Sequence, residues 1–154
     1  MDWITGAVYA GFLLGTGALA VIDLREHRLP NRITFPLYAW GALGLSAASA
    51  VGHDWERLAS AAGGAAGLFA LFWLFWFFGP TGYGDVKLAG VIGLFLGWAG
   101  VPYLVAGLLL GMLGAALLTT VLVLARRLTR RSAVAYGPYL VAGSWAGLLL
   151  ALVH

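Results

Sequence analysis

The sequence predicts an all-α polytopic membrane protein, a bundle of six transmembrane helices forming one domain over residues 1–154. Three observations predict it. Of the residues, 62% are hydrophobic and 10% charged, with a mean hydropathy of +0.92, more apolar surface than a chain of this size can hide from water. The apolar residues come in runs close to the roughly 20 positions that a helix needs to cross about 30 Å of hydrocarbon. The charges collect at the ends of those runs.

The first run, Trp3 to Ile22, stops at Asp23. Ala18 and Ala20 give it the small-residue pattern of a secretory cleavage site, but no lysine or arginine precedes it, and Arg25 and Arg28 follow directly. That order opposes export of what comes next, so the run reads as a retained helix. The second run is Ile33 to Val51 and the third Leu58 to Phe78. The fourth, Val86 to Gly100, covers only about 22 Å and invites a re-entrant reading. The fifth is Tyr103 to Ala125 and the sixth Ala133 to Val153.

Charge decides the fourth. If all six cross, one side holds Arg25, Arg28, Arg32, Lys87, Arg126, Arg127, Arg130 and Arg131, and the other holds Arg57 alone. By the positive-inside rule the first set is cytoplasmic and both termini lie outside. A re-entrant fourth run would send the arginines from 126 to 131 across the membrane, so it is set aside. Five glycine pairs at i, i+4 spacing (11/15, 63/67, 93/97, 107/111 and 143/147) allow close helix approach, although so glycine-rich a chain yields some by chance.

Several functions are excluded at this level. With no cysteine there is no disulfide, no thiolate nucleophile and no Cys-ligated zinc. The histidines, at 27, 53 and 154, are too scattered for a metal cluster, and no cofactor is expected. A pI near 9.6 does not imply nucleic acid, because the basic residues flank apolar runs instead of forming a soluble face. The expected surroundings are a lipid bilayer.

Two carboxylates stand at or near membrane depth, Asp23 closing the first span and Asp85 opening the fourth; Asp2, Glu26, Asp54 and Glu56 fall in loops or at the terminus. Asp85, after a glycine and before an apolar run, suits a helix N-cap. Asp23 faces the unfavourable end of a helix dipole and can pair with Arg25 or Arg28. Jointly they suggest more. Both belong to the same membrane level, where two close carboxylates in a partly dry site cannot both ionise at their usual pKa of about 3.9 and come to share a proton. An aspartic peptidase needs that state: one carboxylate takes a proton from water, the other donates to the oxyanion and the leaving nitrogen. Gly82 and Gly84 would let the backbone turn sharply, with φ values closed to other residues. Lys87 would snorkel to the interface or tune the pair.

Three segments carry a resemblance: AVIDLREHRLPNRIT (20–34), TGYGDVKLAGVIGLFLGW (81–98) and AYGPYLVAGSW (135–145). In this order they resemble the type IV prepilin peptidases, membrane aspartic proteases of the GxGD type. The resemblance implies a multi-pass protein of the bacterial inner membrane whose cytoplasm-facing site cuts the leader from pilin-like precursors, just before their hydrophobic N-terminal helix. It implies Asp23 and Asp85 as the catalytic pair, with Gly82 and Gly84 in the second motif and Pro30, Asn31, Gly137 and Pro138 shaping the site. Pro30 and Pro138 also suit helix starts. Larger members carry an N-terminal cytoplasmic part, often with paired cysteines, associated with N-methylation. Here Asp23 comes early and cysteine is absent, so a short form with peptidase activity alone is expected. Archaeal preflagellin peptidases share the dyad and presenilin-type proteases the GxGD, but the Leu29-Pro30-Asn31 loop and Gly137-Pro138-Tyr139 favour the prepilin group. The alternatives are an ion-coupled transporter, for which midplane acids and a duplicated architecture are lacking, and a non-catalytic assembly subunit whose acids only cap and pair.

Overall fold

A computed structural model describes residues 3–79, 81–125 and 136–153. Among these residues are six helices: α1 Trp3–Glu26, α2 Asn31–Gly52, α3 Trp55–Phe78, α4 Tyr83–Ala99, α5 Val101–Leu124 and α6 Gly137–Val153. No strand occurs among the described residues. The expected all-helical, polytopic class is what is found. Of the six, α1, α3 and α5 are each long and apolar enough to cross a membrane by length and composition, while α6 is a shorter apolar helix. The arginines at 126, 127, 130 and 131, on which the orientation argument leaned most, lie outside the described residues, as do positions 133–135 of the sixth run.

Helix ends depart from the apolar runs by about a turn, for local reasons. The first helix passes Ile22 to Glu26 and is closed by His27, whose φ of 52° is left-handed and whose N–H donates to the Asp23 carbonyl at 2.9 Å. The fourth begins at Tyr83 because Gly82 (φ −72°, ψ 143°) takes the extended N-cap conformation. Between α4 and α5 a single residue turns the chain. Gly100 has φ 134°, a conformation that L side chains rarely adopt, and Pro102 follows in the first turn of α5, where a missing N–H costs nothing.

The short fourth helix is explained by its position. From Val86 to Trp98 every residue but Lys87 is buried, and α4 packs against α2, α3, α5 and α6. A helix apolar all round belongs in the middle of a bundle, and one jacketed by others need not match the bilayer thickness. By contrast α3 and α5 expose large apolar side chains such as Trp73, Phe77, Leu109, Leu113 and Leu117, the surface that lipid would cover.

In hydrocarbon there is no hydrophobic gain from bringing helices together, so association depends on close packing and on satisfying polar groups. Both devices are present. A Cβ on Gly93 would collide with the Gly64 carbonyl oxygen of α3, and one on Gly97 would lie 2.6 Å from the Ser60 oxygen. On the α5–α6 seam a Cβ on Gly143 would collide with backbone atoms of Gly107 and Gly111. Gly11 and Gly15 receive the side chains of Trp40 and Leu37 from α2. Four of the five expected pairs therefore sit at helix contacts; Gly63 and Gly67 face open space, and their neighbour Gly64 makes the α3–α4 contact. Polar side chains close back onto the bundle: Tyr9 Oη donates to the Phe95 carbonyl at 2.8 Å, Ser60 Oγ to Gly97 at 2.8 Å, and Trp145 Nε1 to Thr16 Oγ1 at 3.0 Å. Phe12 stacks on Phe95 at 4.4 Å between centroids. This core fixes the helix ends from which the site is built.

Candidate functional site

An up-and-down order of six helices puts the C-termini of α1, α3 and α5 and the N-termini of α2, α4 and α6 at one end of the bundle. Asp23 stands in the last turn of α1 and Asp85 in the first turn of α4. Both line one cleft of about 380 Å³, together with His27, Arg28, Leu29, Gly82, Tyr83, Gly84 and Lys87. They are the two carboxylates in its lining. Both are buried, at 5% and 8% exposure, so the cleft reaches them without leaving them in bulk water.

Asp85 is not the N-cap that its sequence neighbours suggested. It is the third residue of α4, its N–H donating to the Gly82 carbonyl at 3.0 Å, and no side chain caps the helix. The carboxylate instead turns back over Gly82, where a Cβ would lie 3.4 Å from Oδ2. It still faces the partial positive charge of the unpaired N–H groups at a helix start, which favours an anion there.

Asp23 has the less favourable end of its own helix, but a second helix compensates. Gly137 begins α6 and abuts the carboxylate so closely that a Cβ would collide with Oδ2, which brings the N-terminal backbone of α6 against the acid. Asp23 Oδ2 is buried and has no hydrogen-bond partner among the described residues. Neither Arg25 nor Arg28 forms the ion pair that sequence reasoning allowed.

The remaining site residues hold the loop from 27 to 30 against α4. Pro30 caps α2 in extended conformation (φ −70°, ψ 131°), and its carbonyl accepts from the N–H groups of Ile33 and Thr34 and from Thr34 Oγ1. Asn31, one residue on, accepts a hydrogen bond from Lys87 Nζ through Oδ1 at 2.7 Å. The ammonium also lies 4.7 Å from the centroid of Tyr83 and 5.6 Å from that of Phe35. Lys87 is thus held between α4 and α2, an exposed contact at the wall of the cleft. The glycines act through space, not through unusual φ: Gly82 is in an ordinary extended conformation, and a Cβ on Gly84 would press on Leu29 Cβ at 3.1 Å. Pro138 sits in the first turn of α6 and does not line the cleft.

The expected residues are therefore gathered at one end, with Asp23, Gly82, Gly84, Asp85 and Lys87 in the cleft wall and Pro30, Asn31 and Gly137 behind it. Sequence reasoning missed His27, Arg28, Leu29 and Tyr83. Tyr83 and Leu29 carried a signal, lying inside the GxGD segment and the Leu29-Pro30-Asn31 loop, but that Leu29 packs on Gly84 is visible only in the structure. Among the described residues no group of three or more His, Asp or Glu gathers as a metal site.

Comparison with known proteins bears on the family of the chain. The model of the "Type IV leader peptidase family" matches residues 8–124. The chain is 34% identical over 156 residues to a prepilin leader peptidase/N-methyltransferase of Dickeya chrysanthemi, covering 96% of this chain and 53% of that protein. It is 33% identical over 135 residues to the protein of the same name from Aeromonas hydrophila, covering 86% and 45% respectively. With the Escherichia coli K12 protein of that name the identity is 32% over 150 residues, covering 94% and 63%. The chain spans about half the length of the first two. No solved structure matches.

Proposed function

Since the chain belongs to the type IV leader peptidase family, we propose that residues 1–154 form a single transmembrane peptidase domain that cleaves the leader from type IV pilin-like precursors. In this reading all six helices cross a bacterial inner membrane, both termini lie outside, and the cleft opens to the cytoplasm. The observation that carries it is the meeting of Asp23 and Asp85, from the ends of two different helices, in the wall of one cleft.

The chemistry follows from two carboxylates sharing one proton. The ionised member accepts a proton from water as the water oxygen attacks the carbonyl carbon of the scissile peptide. The protonated member donates to the carbonyl oxygen, giving a neutral tetrahedral diol. On collapse the C–N bond breaks, a proton passes to the departing nitrogen, and the carboxyl product and free amine remain. Neither step needs a group beyond the two acids and water. Burial of both carboxylates keeps competing water scarce, and the helix N-termini of α4 and α6 supply fixed dipoles to a site that carries negative charge.

The test is purification in detergent with a precursor carrying its leader. One cut at the leader junction is expected, with Asp23→Asn and Asp85→Asn each losing about 10²- to 10⁴-fold in rate while remaining folded. Near-normal cleavage by either variant refutes the site. A wild type that never cuts but moves ions in vesicles refutes the class, and loss of stability with no chemical phenotype points to a non-catalytic subunit.

A further inference from the structure

The α2–α3 hairpin is joined by His53 and Asp54 alone, at the end of the bundle away from the cleft. Its two helices touch each other sparsely, yet each packs on α4, so the hairpin splays toward the site end with α4 showing between. The opening is a groove of about 550 Å³ walled by Phe35 and Tyr38 of α2 and by Ala65, Ala66 and Phe69 of α3. Tyr83 and Lys87 complete it, and the same two residues line the carboxylate cleft. Groove and cleft thus adjoin, on either side of Tyr83 and Lys87.

We propose that this groove receives the apolar segment of the peptide substrate whose scissile bond lies in the cleft, an inference that rests on the peptidase reading above. Phe69 lies nine residues before Phe78, the end of α3, so the groove runs about 13 Å from the site end into the apolar depth of the bundle. Its walls are apolar, and Ala65 and Ala66 present only methyl groups, which lets a helix approach closely. An occupant filling the groove up to Tyr83 and Lys87 has its next residues in the cleft. A polypeptide meets both demands in one molecule, apolar side chains in the groove and a neutral main chain between the carboxylates. A phospholipid chain could fill the groove and set its phosphate beside Lys87, but it would leave the carboxylate cleft without an occupant. Surrounded by lipid, the groove gains little from the hydrophobic effect, so its contribution is register: it places one peptide bond, not its neighbours, against the acids.

The decisive comparison uses two substrates, a full precursor and a water-soluble peptide with the same leader that ends a few residues beyond the cut. Ala66→Trp, which fills the groove, should lower the ratio of kcat/KM for precursor over peptide at least tenfold; an unchanged ratio overturns the proposal. If wild type cuts neither substrate, the peptidase reading fails instead. A second measurement serves if that variant does not fold. A photo-reactive phenylalanine analogue at Phe35, in the Asp85→Asn background, should cross-link to the apolar segment of the precursor, while the same analogue at Leu113 on the outer face of α5 should not. Capture of lipid alone at position 35, with precursor bound, overturns it.

Discussion

The middle of the bundle and its site end are held together by different means. In the middle, α3 meets α4 and α5 meets α6 backbone to backbone, with glycines leaving no room for even a methyl group. At the site end, side chains make the junctions: Lys87 to Asn31, Leu29 against Gly84, and the start of α6 against Asp23. Backbone seams fix where each helix runs. Side-chain junctions leave a hollow between the helix ends, and a hollow is what a substrate requires.

The sharpest way to break this contrast is to place a methyl group in each region. Gly143→Ala sets a Cβ against the backbone of Gly107 and Gly111, which cannot rotate away. It should cost about 1–3 kcal/mol, read as a lower thermal midpoint in detergent. Gly137→Ala sets one against the Asp23 carboxylate. Here the expected loss is in kcat, about tenfold or about 1.4 kcal/mol in barrier, with the thermal midpoint nearly kept. Equal effects of both variants on stability would erase the distinction. The Lys87–Asn31 clasp is weaker: in a double-mutant cycle of Lys87→Met and Asn31→Ala, cleavage should reveal a coupling of about 1 kcal/mol. Gly63→Ala, facing open space, should change stability by less than about 1 kcal/mol, toward stabilisation if at all.

The sequence made the class and the helix count legible because both depend on composition and on where charges interrupt apolar runs. It also placed Asp23 and Asp85 at helix ends on one side. It did less well within a turn. A cap was one reading of Asp85 because a glycine precedes it, whereas Gly82 caps the helix and leaves Asp85 inside the first turn. Lys87 looked like a lone cation near an interface, since its partner Asn31 is 56 positions away. Gly63 and Gly67 matched a spacing rule that Gly64 satisfies in fact, because spacing does not say which face of a helix meets a neighbour. The contact of Gly137 with Asp23 joins the two ends of the chain, and no local pattern encodes it.

Burial of α4 on every side has a consequence for how the acids can come together. Asp85 rides on a rod gripped along its whole length, so displacing it means displacing the rod. Asp23 stands on the last turn of a helix whose outer face is free, and the connection after it meets α4 through Leu29 on Gly84 and, at the start of α2, through Asn31 on Lys87. Of the two acids, Asp85 therefore has the stiffer mounting, and Asp23 is braced chiefly by Gly137 at the start of α6.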